Sequence, residues 1–210
     1  MSDHSHTLEA HTATGFDSRK VAIWTFIGSE CLFFATLISN FLVHKQTWLS
    51  GPGPFPHEEW VSPAGQHFEP IIEIPLVTLG TALLLFSSLF VVLALANAQR
   101  GNRKGLLLWL GMTIMCGLFF VGMQVYEFTH FVHKGLTLKT NLYGASFFVL
   151  TGFHGTHVTL GVIWLITLWI EGFRGRIPPA KSLNLEMAAL YWHFVDVVWI
   201  VIFPVVYLIR

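Results

Sequence analysis

Charged side chains make up only 11% of this 210-residue sequence, against roughly 25% in a typical soluble domain. With 53% of its residues apolar, a water-soluble fold of this length could not solvate its surface. The 12 basic and 12 acidic side chains cancel, so nothing points to nucleic acid or to an acidic substrate. Cysteine is nearly absent. Cys31 and Cys116 stand far apart inside apolar runs, which excludes a disulfide framework and a CxxC metal site and leaves two small packing residues. No internal repeat is visible, so an inverted-repeat transporter gains no support. An apolar signal core is missing near the start, where residues 1–20 carry Asp3, Glu9, Asp17, Arg19 and Lys20. That segment reads as a disordered cytoplasmic tail, with His4, His6 and His11 solvated.

What the chain does have is long apolar runs. A spanning helix needs about 20 predominantly apolar residues, and five stretches qualify: 21–43, 74–98, 105–132, 142–170 and 183–209. The fold class is therefore all-α, a transmembrane domain over residues 21–210. Arg19, Lys20, Arg100, Arg103, Lys104, Arg174, Arg176 and Lys181 fall on the side of the N-terminus, and Lys45, Lys134, Lys139 and Arg210 on the other. The bias predicts a cytoplasmic N-terminus and, five being odd, a C-terminus outside. The longest connection, with Gly51-Pro52-Gly53-Pro54-Phe55-Pro56 and then Glu58, Glu59 and Glu69, reads as a turn-rich outer loop.

Ionisable groups at membrane depth are expensive, so each is a candidate for function. Glu30 lies near mid-depth of span one, where a carboxyl group is either protonated or paired with a cation on a neighbouring helix. It is the candidate for proton handling, with an inter-helix packing bond as the plainer reading. Gln124, Glu127, His130 and His133 form a polar row closing span three and read as the wet end of a long helix. In span four, His154 and His157 share a face, among glycines that let another helix come close. In span five, Glu186, His193 and Asp196 fall on one stripe, which allows His193 and Asp196 to interact directly and hold helices in register.

Metal chemistry finds little support. A bis-histidine haem across spans four and five is arithmetically allowed, but a haem-copper centre needs more deep histidines than His154, His157 and His193, and a dinuclear copper site needs neighbouring cysteinates. Ser87 and Ser88 lack the context of a protease nucleophile and have no assignable base.

Four ordered segments carry a family resemblance. Tyr191-Trp192-His193-Phe194-Val195-Asp196-Val197-Val198-Trp199-Ile200 resembles the signature near the C-terminus of subunit III of haem-copper respiratory oxidases, the cytochrome c oxidase subunit III family. Ser29-Glu30 with Leu32-Phe33-Phe34, Gln124 with Tyr126-Glu127-Phe128, and Tyr143-Gly144 through His157-Val158 resemble three further helices of that family in the same order. The short five-helix bacterial form fits best, over residues 20–210. Two positions depart: Thr156 stands where leucine is common, and Pro204 sits late in span five, where a bend is expected.

The resemblance implies an auxiliary subunit of a proton-pumping terminal oxidase that reduces oxygen to water. Such a chain has no catalytic residues, metal or redox centre of its own; haem and copper belong to partner subunits, and a bound phospholipid is compatible. It would pack beside catalytic subunit I, with subunit II and other oxidase subunits, and within a larger respiratory supercomplex, in the lipid of a bacterial plasma membrane. Glu30 matches the family's carbodiimide-reactive glutamate and would assist proton uptake. Gln124, Glu127, His154, His157, Glu186, His193 and Asp196 would be interior polar packing positions. Glu30 and the Trp-His-Phe-Val-Asp run lean toward the cytochrome c branch; the histidine-bearing tail and Gly122-Met123 with Tyr126-Glu127-Phe128 are similar to quinol oxidases. The alternatives are a nitric oxide reductase accessory subunit and an autonomous proton-linked transporter using Glu30, His154 and Asp196.

Overall fold

A computed structural model describes residues 18–44, 60–61, 67–68, 74–178 and 182–208. Among these residues five helices follow in order: α1 (Ser18–Val43), α2 (Ile74–Gln99), α3 (Arg103–His133), α4 (Leu142–Phe173) and α5 (Leu183–Phe203). All five are long and apolar enough to cross a membrane. At 1.5 Å per residue, the 31 residues of α3 and 32 of α4 run about 46–48 Å, well past the ~30 Å hydrocarbon core. Their ends therefore reach beyond it.

The helix ends differ from the expected spans for local reasons. α1 starts at Ser18, so Ser18, Arg19 and Lys20, expected in a disordered tail, form its first turn; the rest of that tail, with its histidines, lies outside the described residues. The loop glycines, prolines and Glu58, Glu59 and Glu69 also lie outside them, but a two-residue antiparallel ladder, β1 (Trp60–Val61) with β2 (His67–Phe68), is set into that connection. α3 and α4 begin at asparagines whose side chains accept from the backbone: Asn102 from Gly105 N at 3.2 Å and Asn141 from Gly144 N at 2.7 Å, which satisfies otherwise orphaned amides. The Arg103 guanidinium donates to Gly172 O at 3.0 Å and to Phe173 O, closing the carbonyl end of α4.

Span five does not run as one α-helix to its end. Pro204 has no N–H to give to Ile200 O, and from Pro204 to Leu208 the chain takes a π-helical turn, the widened i→i+5 form. Val206 and Tyr207 are buried by it.

The last four helices close a ring, α2 against α3, α3 against α4, α4 against α5 and α5 back against α2. α1 lies outside it, on α4 and α5. Only Ile27, Phe34 and Phe41 of α1 are buried. Their seven-residue spacing gives the narrow seam by which one helix lies along another. Trp24 and Leu32 are 59% and 73% exposed on its outer side.

The ring itself is fastened by hydrogen bonds between helices. Within lipid, helices gain little from hydrophobic burial against each other, so close packing and polar contacts carry the association. Trp192 Nε1 of α5 donates to Ser87 Oγ of α2 at 2.8 Å, and Trp199 Nε1 donates to Thr81 Oγ1 at 2.9 Å. The two indoles stand seven residues apart on α5 and their acceptors six apart on α2, which fixes the antiparallel register. On the other side of the ring, Trp169 Nε1 of α4 donates to Leu107 O of α3 at 3.0 Å.

Candidate functional site

Glu30, twelve residues into α1, lies about 18 Å along the helix. Its carboxyl oxygen Oε2 is 3.1 Å from Nε2 of His157 on α4. The two side chains are 20% and 13% exposed, so solvation by water does not settle their charge. Hydrogen-bond accounting settles only their total. His157 Nδ1 is 2.7 Å from Phe153 O, and a carbonyl only accepts, so Nδ1 carries a hydrogen. If the ring is neutral, Nε2 is an acceptor and the proton between the two residues sits on Glu30. If the ring is cationic, Glu30 is a carboxylate. One proton serves both groups, and the pair is neutral overall either way. The cation that the sequence required for an ionised Glu30 is thus available as an imidazolium. Tyr191 OH donates to His157 O at 3.0 Å, and Phe34 lies 5.0 Å from the His157 ring.

His154 shares the helix with His157 but sits in the core, fully buried. Its ring stacks on Trp199 at 4.7 Å and meets the edges of Phe120 at 5.7 Å and Phe34 at 6.4 Å. Nε2 donates to Val195 O of α5 at 3.3 Å, so the imidazole ties α4 to α5. His193 makes its contact elsewhere, with Ser88 of α2.

His193 and Asp196 do not bond to each other, contrary to the expectation from their spacing. Ser88 of α2 stands between them, its Oγ 3.0 Å from His193 Nδ1 and hydrogen-bonded to Asp196 Oδ2. The serine therefore has a base beside it, which the sequence did not reveal. The order is still not that of a hydrolase triad, in which the acid orients the histidine; here the acid holds the serine. Asp196 is buried and His193 half-exposed. Glu186, on the same stripe, lies in the first turn of α5 at the end of the bundle, paired with Lys20 of α1 at 2.7 Å.

The polar row of α3 divides. Gln124 and Glu127, read as a wet helix end, are each only 6% exposed. Gln124 Nε2 donates to Thr151 O of α4 at 2.6 Å, lying over Gly155, where a methyl group would meet the amide. Glu127 Oε2 accepts from Tyr207 OH at 2.9 Å, a contact created by the π turn. His130 stacks on Tyr126 at 6.0 Å and His133 is exposed.

Sequence reasoning gave Ser87 and Ser88 no role once a protease was set aside, and it passed over Thr81 and Tyr207. Hydroxyls in the apolar run of α2 were the available signal, but their partners lie more than 100 residues away.

The profile of the family described as "Cytochrome c oxidase subunit III" matches residues 1–209. A protein of Bacillus subtilis named "Quinol oxidase subunit 3" is 38% identical over 188 residues, covering 90% of this chain and 85% of the relative. "Probable quinol oxidase subunit 3" of Staphylococcus saprophyticus is 35% identical over 209 residues, 100% of this chain and 97% of the relative. "Cytochrome c oxidase subunit 3" of Bacillus sp. (strain PS3) is 35% identical over 188 residues, 90% and 84% of the two chains.

Proposed function

The chain belongs to the cytochrome c oxidase subunit III family and is subunit III of a haem-copper oxidase; from that premise we propose that it supports catalytic subunit I during turnover and assists proton uptake through Glu30. It works within an oxidoreductase complex, beside other oxidase subunits. The finer reading places it against subunit I, with its N-terminus on the cytoplasmic face of a bacterial plasma membrane. A reporter fused after Arg210 is active only outside the cytoplasm on this reading; activity inside reverses the orientation.

The observation that carries the proton role is the Glu30–His157 pair, which holds one proton in two forms of equal overall charge. Moving that proton between the partners leaves no net charge in the membrane, where an isolated charge costs several kcal/mol. On this reading the chain takes part without a redox centre, which is supported by the engagement of His157 with Glu30 and of His193 with Ser88 and by the aromatic surroundings of His154. Haem and copper belong to its partners. Glu30→Gln keeps a hydrogen bond to His157 and removes the exchangeable proton. The variant oxidase is expected to assemble with unchanged haem spectra, to take up protons more slowly and to survive fewer turnovers. Profiles of turnover against pH that superimpose on the parent, with equal lifetimes, would remove Glu30 from the functional residues. Activity of the chain alone in liposomes would favour an autonomous transporter instead.

For the electron donor, Glu30 and the Trp192–Asp196 run favour cytochrome c. The second reading, a quinol oxidase, is favoured by relatives of that name at 38% identity. Supplying the purified complex with reduced cytochrome c or with a quinol separates them.

A further inference from the structure

Three groups from two helices meet at Ser88, and their arrangement has a use that neither the Glu30–His157 pair nor packing requires. Ser88 Oγ bonds on one side to Asp196 Oδ2 and on the other lies 3.0 Å from His193 Nδ1. Asp196 is only 3% exposed, and its second oxygen, Oδ1, is buried with no hydrogen-bond partner among the described residues. A carboxylate kept solely to fasten α2 to α5 is expected to have both oxygens satisfied, the more so since Trp192–Ser87 and Trp199–Thr81 already fasten these helices. His193, half-exposed on α5, has no bond to Nε2 among the described residues. The cluster thus joins a buried acid to an accessible base through one hydroxyl.

We propose that Ser88 relays a proton between Asp196 and His193, making these three residues a second proton-exchanging site of the chain, separate from Glu30 and His157. In the neutral form, Asp196 donates to Ser88 Oγ and Ser88 donates to His193 Nδ1. In the transfer, the carboxyl O–H bond breaks as a new O–H bond forms on Ser88, and the original serine O–H bond breaks as N–H forms on His193. The products are a carboxylate and an imidazolium, with the serine restored. The imidazolium then releases a proton from Nε2 on its half-exposed side. Uptake runs the same steps in reverse. A hydroxyl is needed in the middle because it donates and accepts at once. Glu30 and His157 belong to α1 and α4 and are not members of this chain of bonds, so the relay does not rest on the role assigned to them.

Infrared spectroscopy of the intact oxidase complex, transferred from H2O to D2O, tests the relay. The carbonyl stretch of a protonated Asp196 is identified by its loss in Asp196→Asn. In the parent that band shifts promptly on deuteration. In Ser88→Ala the band is expected to persist while its shift slows about tenfold or more, the rate equivalent of losing one hydrogen-bonded partner at the transfer step. Ser88→Thr, which keeps the hydroxyl, restores the parent rate. His193→Gln retains a hydrogen bond to Ser88 but takes up no proton, so it slows the shift as well; it also decides the matter if Ser88→Ala does not assemble. Absence of an Asp196 carboxyl band in the parent, equal exchange rates in parent and His193→Gln or Ser88→Ala, or failure of threonine to restore the rate would each overturn the relay.

Discussion

The indole of Trp192 donates to Ser87 across the α2–α5 contact, while the same ring fills the space left by two glycines on other helices. A Cβ at Gly117 of α3 would lie 2.7 Å from the ring, and one at Gly161 of α4 would lie 3.0 Å from it. Trp192, fully buried, is thereby in contact with three neighbouring helices. Glycine at these two places is the condition for a tryptophan at the centre of the ring.

Ser87→Ala leaves the Trp192 N–H buried without its acceptor, at a cost of about 1–3 kcal/mol. Gly117→Ala inserts a methyl group against both Trp192 and Val162 and costs a similar 1–3 kcal/mol by overpacking. Both variants should lose the subunit from the detergent-solubilised oxidase at a lower temperature than the parent. Because the two act on one side chain, their effects should not add. Strict additivity in the double variant would mean that Trp192 does not couple α2 to α3.

The five spans were legible because length and apolar content alone define them. Which face of each helix turns inward was not, because lipid and protein interior are equally apolar and the helical period that marks a buried face in water is largely erased. Gln124 and Glu127 show the consequence. Their place near the end of an apolar run suggested water, whereas the length of α3 and the π turn at Pro204 put Glu127 beneath Tyr207. Glu30 was conspicuous as a carboxyl group in an apolar run; its partner His157 stands 127 residues away, and nothing local announces the pairing. Likewise the three-residue spacing of His193 and Asp196 invited a direct bond, but both residues turn to Ser88 on another helix.

His157 should be as necessary as Glu30 to whatever the pair does. With one proton between them, His157→Gln and Glu30→Gln each remove the exchange, and the double variant should be no worse than either single one. Lifetimes under continuous turnover measure this. A double variant with the product of the two single losses would show that the residues act separately.

α1 should be the first element to separate from the rest. Its contacts with the rest include one narrow seam, the ring contacts of Phe26 with Tyr191 and Phe33 with Phe153, the Glu30–His157 bond and the Lys20–Glu186 pair, whose side chains are 41% and 35% exposed and which is worth roughly 0.2–1 kcal/mol at such exposure. Phe34, 2% exposed and in contact with Phe33, His154, His157 and Phe194, is with Phe41 one of the two largest side chains that α1 buries. Phe34→Ala is expected to cost about 3–5 kcal/mol. Hydrogen exchange should then rise along α1 while α2 to α5 remain protected. A uniform rise in all five helices would mean that α1 is not a separable layer.

Pro204 sets the position of Tyr207, and its removal should show whether the proline or the tyrosine controls the π turn. Pro204→Ala supplies the missing N–H to Ile200 O and removes a residue that is about 3 kcal/mol less favourable than alanine inside a helix. The backbone is then free to continue as an α-helix, which turns each following side chain through a different angle and carries the Tyr207 hydroxyl away from Glu127. Opposing this is the Glu127–Tyr207 bond itself, 2.9 Å long and buried, whose loss leaves a buried carboxyl group short of a donor at about 1–3 kcal/mol. The helix preference is at least as large as that penalty, so the α form should win. Ultraviolet resonance Raman spectra of the tyrosines report the outcome, because the phenol band follows its hydrogen bonding. A band identical to that of the parent would mean that the buried phenol, and not the proline, holds the turn open.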